Sequence, residues 1–116
     1  MRTGTIIAMA AAGTIVLVVG IMTGFFGFMM WGLALNGFTG HQQAIDISMA
    51  VYFGLAILSG VVSIILSIAA VYIFAGRREW NAALAAALSA VVFSIVLALL
   101  HIGSAIVSAI LAGQMI

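Results

Sequence analysis

Three long apolar runs, each free of internal charge, are separated by two short polar breaks. The runs extend from about Thr5 to Leu35, from about Ile47 to Ala75 and from about Asn81 to Ala112, and the breaks are 36–43 and 76–80. Each run exceeds the roughly 20 residues that carry a helix across a ~30 Å hydrocarbon layer. Extended strands of that length would leave backbone groups unpaired in lipid, and period-two alternation is absent, so the runs read as helices. The pattern predicts an all-α integral membrane protein: a single domain, residues 1–116, with three transmembrane helices running up-down-up. Proline is absent, so no fixed kink is encoded. Asp46 or Ser48 is placed to cap the second helix, and Gly76 suits the residue just past its end, where a left-handed backbone is often needed.

Composition narrows the class. Hydrophobic residues make up 67% of the 116 residues and charged residues 4%, whereas about a quarter of a soluble domain is charged. Only Arg2, Asp46, Arg77, Arg78 and Glu79 carry charge, and there is no lysine. The expected solvent is the lipid bilayer, and a water-soluble globule is excluded. A net charge of +1 argues against a nucleic-acid partner, and the lack of cysteine removes disulfides, thiolate metal sites and redox relays. Met1-Arg2 before an apolar stretch resembles the start of a signal peptide, but a stretch of about 30 residues is well beyond a signal's apolar core. The first segment is therefore read as a spanning helix.

Positive charges near helix ends stay on the cytoplasmic side. Arg2 precedes the first helix and Arg77 and Arg78 follow the second, which is one side for a chain crossing in order. The N-terminus is expected in the cytoplasm and the C-terminus outside, in a prokaryotic inner membrane, with Arg2, Arg77 and Arg78 near lipid headgroups. Trp31 and Tyr52 read as an outer aromatic belt, and Tyr72 and Trp80 as an inner one. Tyr52 and Tyr72 are 20 residues apart, which is about 30 Å of helix. The same ruler started at Trp80 leaves Ile102 to Ile116 as surplus apolar chain. That tail is expected to tilt, bend at Gly103, lie in the interface or, as the preferred reading, pack on another protein.

Small residues recur on one face of each segment. They are Gly13, Gly20, Gly24 and Gly27 on the first, and Ala56, Gly60, Ser63, Ser67 and Ala70 on the second. On the third they are Ala87, Ala90, Ser94, Ala98, His101, Ala105, Ser108 and Ala112, with Ala82, Ala83, Ala85 and Ala86 clustered at its start. Small side chains let membrane helices approach closely where lipid offers no hydrophobic drive, so these stripes are expected packing seams. The partners they imply are other membrane helices, from the same chain, from copies of it or from a larger complex.

His101 is the residue with most chemistry, because it sits on a seam with Ser94, Ser104 and Ser108 nearby. The plain expectation is a neutral ring hydrogen-bonded across a helix interface. A haem axial ligand, a protonatable gate and half of a metal site with His41 are the other readings. No nucleophile-base pair, paired carboxylates or phosphate-binding glycine loop is present, so the chain is not expected to be an enzyme.

Ile47 to Ala112, with Gly76-Arg77-Arg78 between its halves, resembles conjugative pilins of the type IV secretion class, two long apolar helices joined by a short basic turn. That resemblance implies a pilin-like membrane subunit; the first helix departs from it. Small multidrug exporters are similar in size and apolarity, but they carry an embedded glutamate in their first helix and this chain has none. Small membrane immunity proteins against pore-forming toxins are similar in bulk composition and helix number. The leading expectation is a non-enzymatic helix-packing subunit of a larger membrane assembly.

Overall fold

The computed structural model describes residues 2–116 and contains three long helices: α1, Thr3–Ala34; α2, Gln42–Val71; and α3, Ala82–Gln114. A π-helical turn, Tyr72–Arg77, continues α2. All three helices are long and apolar enough to cross a membrane. Contacts along the bundle set their mutual directions. Gly13 of α1 meets Ile68 of α2 and Gly27 meets Tyr52, so these helices run antiparallel, whereas Gly4, Gly20 and Gly24 meet Ala82, Leu97 and His101 in parallel order along α3. The result is a rod of 57 × 16 × 15 Å.

The interior of the rod is made of small residues and its surface of large ones. Tyr52, Leu97, Val16 and Val71 are the largest side chains fully buried, and most of the rest of the core is Ala, Ser or Thr. Phe25, Phe26, Leu33, Ile57 and Leu99 lie exposed. That distribution inverts a soluble core and is the one expected of helices able to cross a membrane: in hydrocarbon, large side chains would gain nothing by turning inward, and close backbone approach would supply the attraction.

The boundaries depart from the apolar pattern at three places. First, α2 begins at Gln42 instead of near Ile47, because a helix needs only backbone hydrogen bonds and its first turn tolerates polar side chains. Neither Asp46 nor Ser48 caps it. Asp46 accepts from Gln42 Nε2 at 2.7 Å, one turn apart on the helix, and Ser48 is buried. Second, Gly76 does not lie past a helix end but inside the π-helical turn, and the left-handed residue is Glu79, with φ 57°. The widened turn disposes of carbonyls that a helix end leaves without partners. Arg78 N donates to Ile73 O at 3.0 Å, Trp80 N to Phe74 O at 2.8 Å, and the Arg2 guanidinium to Ala75 O at 2.7 Å. Third, α3 continues through Gly103 to Gln114 as one unbroken helix, and Ala105 and Ala112 pack in a cluster with Trp31, Leu35 and Ala44. One face of the 102–116 tail therefore belongs to this bundle, while Ile106, Val107 and Ile110 stay exposed.

Candidate functional site

The seams meet at different depths. Gly13 faces the Ile68 side chain, and a Cβ added there would come within 2.9 Å of Ile68 Cδ1. Gly20 and Gly24 face Leu97 and His101, and a Cβ at Gly27 would collide with the Tyr52 hydroxyl and lie 3.1 Å from His101 O. The Gly20-x-x-x-Gly24 spacing is thus used inside the chain, where it brings α1 onto α3. On α2, Ala56, Ser63 and Ser67 are buried and Ala70 is half-buried. Gly60 differs, because a methyl added there would meet nothing within 4 Å, so this glycine opens a gap instead of a contact. On α3, Ala90, His101, Ala105, Ser108 and Ala112 are buried and Ser94 and Ala98 half-buried. Ala87 is exposed, because the buried line steps back by fours from Leu97 through Ser89 to Ala85. Leu97 is a central member of the α3 seam that a small-residue pattern does not reveal, because its side chain is large.

His101 is the node at which all three helices are tied. It is only 2% exposed. Its Nδ1 lies 2.7 Å from Thr23 Oγ1 on α1 and its Nε2 lies 3.1 Å from Ala56 O on α2. A carbonyl oxygen only accepts, so Nε2 carries a hydrogen. Thr23 Oγ1 is also 2.9 Å from Val19 O, one turn back on its own helix. Beside this node Tyr52, fully buried, donates its hydroxyl to Gly24 O. Further along, Trp31 Nε1 donates to Ser48 Oγ at 3.0 Å, and Ser48 donates to Ile45 O at 3.1 Å. Thr23 does not stand out in the sequence as a partner of His101, nor Tyr52 as a tie to Gly24; the one signal for Thr23 is a hydroxyl one residue from the Gly24 seam.

Burial of Trp31 and Tyr52 also changes the aromatic reading. Trp31 stacks on Phe28 at 5.5 Å between centroids and, like Tyr52, lies within the bundle instead of lining its outer surface. Tyr72 and Trp80 are the exposed pair, with Trp80 packed on Phe74 at 4.6 Å.

An apolar groove of about 580 Å³ opens between α1 and α2. Gly20, Gly24 and Gly60 remove the side chains that would fill it, and Leu97 and His101 of α3 form its floor. Among the described residues, none of those lining it carries a full charge.

His41 does not join His101. It is exposed at the start of α2, fifteen residues before Ala56, which is about 22 Å of helix. Among the described residues no group of three or more His, Cys, Asp or Glu side chains converges on a metal-sized site. Axial ligation of haem by His101 would require the ring to give up its bond to Thr23 or to Ala56. Arg2 binds Ala75 O and, at 3.2 Å, Trp80 O, so it gathers with Arg77 and Arg78 at one end of the rod. The hydroxyls of Thr5, Ser94 and Ser108 are buried without a hydrogen-bond partner among the described residues. No protein-family model, no curated protein and no solved structure matches this chain, so the reading of the site rests on its geometry.

Proposed function

We propose that the chain is a non-enzymatic integral membrane protein that serves as a helix-packing subunit of a larger membrane assembly, a homo-oligomer or a complex in which it is the accessory subunit. The observation that carries this reading is length. The rod is 57 Å long, against a ~30 Å hydrocarbon layer and about 40–45 Å with headgroups included. Apolar side chains remain exposed at both ends, with Ile7 63% exposed beside the arginines and Leu33 74% exposed at the opposite end. Tilt absorbs only part of the excess, since a helix of about 50 Å tilted by about 40° still spans about 38 Å against ~30 Å of hydrocarbon. α3, with 33 residues, is about 50 Å long, and fitting it within ~30 Å needs a tilt of about 53°, beyond the observed range of about 0–40°. Cover from a protein neighbour fits this surplus.

Gathering of Arg2, Arg77 and Arg78 at one end supports an N-terminus in the cytoplasm and a C-terminus outside, in a prokaryotic inner membrane. A pilin-like hairpin would use α2 and α3 alone. In this chain α1 packs along α3 through Gly20, Gly24 and Gly27, which favours a three-helix unit. Blue-native electrophoresis in mild detergent tests the assembly. A discrete species above the monomer is expected, and a monomer migrating without partner would overturn it.

A further inference from the structure

We propose that His101 is a proton-binding site inside the bundle, with the Thr23 hydroxyl as the rotor that lets the ring hold either one hydrogen or two. The inference rests on hydrogen-bond direction alone and is independent of what the bundle assembles with.

Ala56 O accepts from Nε2, so the neutral ring is the Nε2–H form and its Nδ1 is an unprotonated acceptor. Thr23 has one hydroxyl hydrogen and three acceptors in reach: His101 Nδ1 at 2.7 Å, Val19 O at 2.9 Å and, more weakly, Gly20 O at 3.5 Å. With the ring neutral, that hydrogen points to Nδ1. When a proton from the aqueous phase binds the Nδ1 lone pair, the new N–H donates to Thr23 Oγ1, and the hydroxyl hydrogen turns to Val19 O. One N–H bond forms, no covalent bond within the protein breaks, the hydrogen bond between Nδ1 and Thr23 Oγ1 reverses direction, and no heavy atom needs to move, because the 2.7, 2.9 and 3.1 Å distances are already of hydrogen-bond length. Both ring N–H groups of the imidazolium then have acceptors, Thr23 Oγ1 and Ala56 O, so the charged ring is left with no unsatisfied donor.

A hydroxyl at Nδ1 serves both the neutral and the charged ring, whereas a second carbonyl there would serve only the charged one. Here the partner at Nδ1 is a hydroxyl, which donates or accepts as required. Among the described residues no charge competes for the site. From α1 the ring meets Thr23 and Gly24, and from α2 Ala56 with Tyr52 nearby, whose hydroxyl is committed to Gly24 O. Asp46, the acid on α2, is ten residues from Ala56, about 15 Å along the helix. An ionisable side chain that faces the interior of a bundle of membrane-length helices, with a named partner, is by default a candidate functional site.

The test uses the full chain in phospholipid nanodiscs, carrying His41→Gln so that one imidazole remains, with isotope-labelled histidine followed by NMR from about pH 8 to about pH 4. At the upper end Nε2 should be protonated and Nδ1 bare; on acidification Nδ1 should gain a hydrogen in one step while the helical amide spectrum stays in place. Thr23→Ser should behave as the parent, and Thr23→Val should lose the second protonation over the same range while keeping Nε2–H. A neutral ring with its hydrogen on Nδ1, a ring that stays neutral throughout, or proton uptake unchanged in Thr23→Val would each overturn the proposal. The parent titration decides the matter even if Thr23→Val does not fold.

Discussion

Glycine substitutions separate close packing from mere small-residue composition, and Gly27 and Gly103 make the sharpest pair. Both lie within long helices, and both read in sequence as small residues in membrane segments. A methyl at Gly27 runs into the Tyr52 hydroxyl and sits 3.1 Å from the His101 carbonyl oxygen, which is backbone and cannot swing aside. Tyr52 is fully buried and lines the apolar groove, so moving aside turns its hydroxyl toward apolar side chains. Overpacking of this kind costs about 1–3 kcal/mol. Displacing Tyr52 also loses its bond to Gly24 O, about 0.6 kcal/mol for an interhelical bond in a membrane. The alanine recovers about 0.5–1 kcal/mol of helix propensity. The balance for Gly27→Ala is a loss of about 1–3 kcal/mol. Gly103 has nothing within 4 Å of the same methyl position, so Gly103→Ala keeps the propensity gain alone. Reversible unfolding by a denaturing detergent in bicelles reads both, with fluorescence of buried Trp31 as the reporter. Equal stabilities for the two variants, or a more stable Gly27→Ala, would refute the packing of α1 on Tyr52 and α3.

Other outcomes follow from single contacts. In a Thr23→Val and His101→Leu double-mutant cycle, a coupling of about 0.6–1.7 kcal/mol is expected in the same unfolding assay, and additivity would remove the bond as a tie between α1 and α3. Glu79→Gly should stabilise by about 1 kcal/mol, because glycine adopts the φ of 57° without Cβ strain; a destabilised variant would show that the Glu79 side chain matters more than its backbone. Ser108→Ala removes a buried hydroxyl that has no partner among the described residues and should leave stability unchanged or raised by about 1 kcal/mol, so a clear loss would reveal a partner for it. The chain has no cysteine, so Thr39→Cys and Glu79→Cys report sidedness directly. An impermeant thiol reagent on intact cells should label Thr39→Cys alone, and the reverse pattern would invert the orientation.

The legible part of the candidate site was its residue types, and the illegible part was its pairings. His101 stood out as a polar ring on a stripe of small residues, but nothing along the chain ties it to Thr23, 78 positions away, or to Ala56, 45 positions away. Gly20 and Gly24 announce close approach by their spacing, yet spacing does not say whether the approaching helix is α3, a partner or a copy. Ala87 and Gly60 matched the same stripes and lie elsewhere, Ala87 on the outer surface and Gly60 at a gap. A small side chain permits contact without requiring it. Trp31 and Tyr52 show the converse, since their amphipathic rings suit an interface by type but their N–H and O–H groups found partners within the bundle.

Three helices, their approximate spans and their surplus length were determined by the sequence alone, because hydropathy acts locally and a backbone in hydrocarbon has no alternative to the helix. The π-helical turn after Val71 and the use of Arg2 to close carbonyls beside it were decided only when the helices packed. Each depends on which unpaired backbone groups lie near which donors in space. The same holds for the direction of the hydrogen bonds at His101, which comes from the kind of oxygen that α1 and α2 place at its two nitrogens.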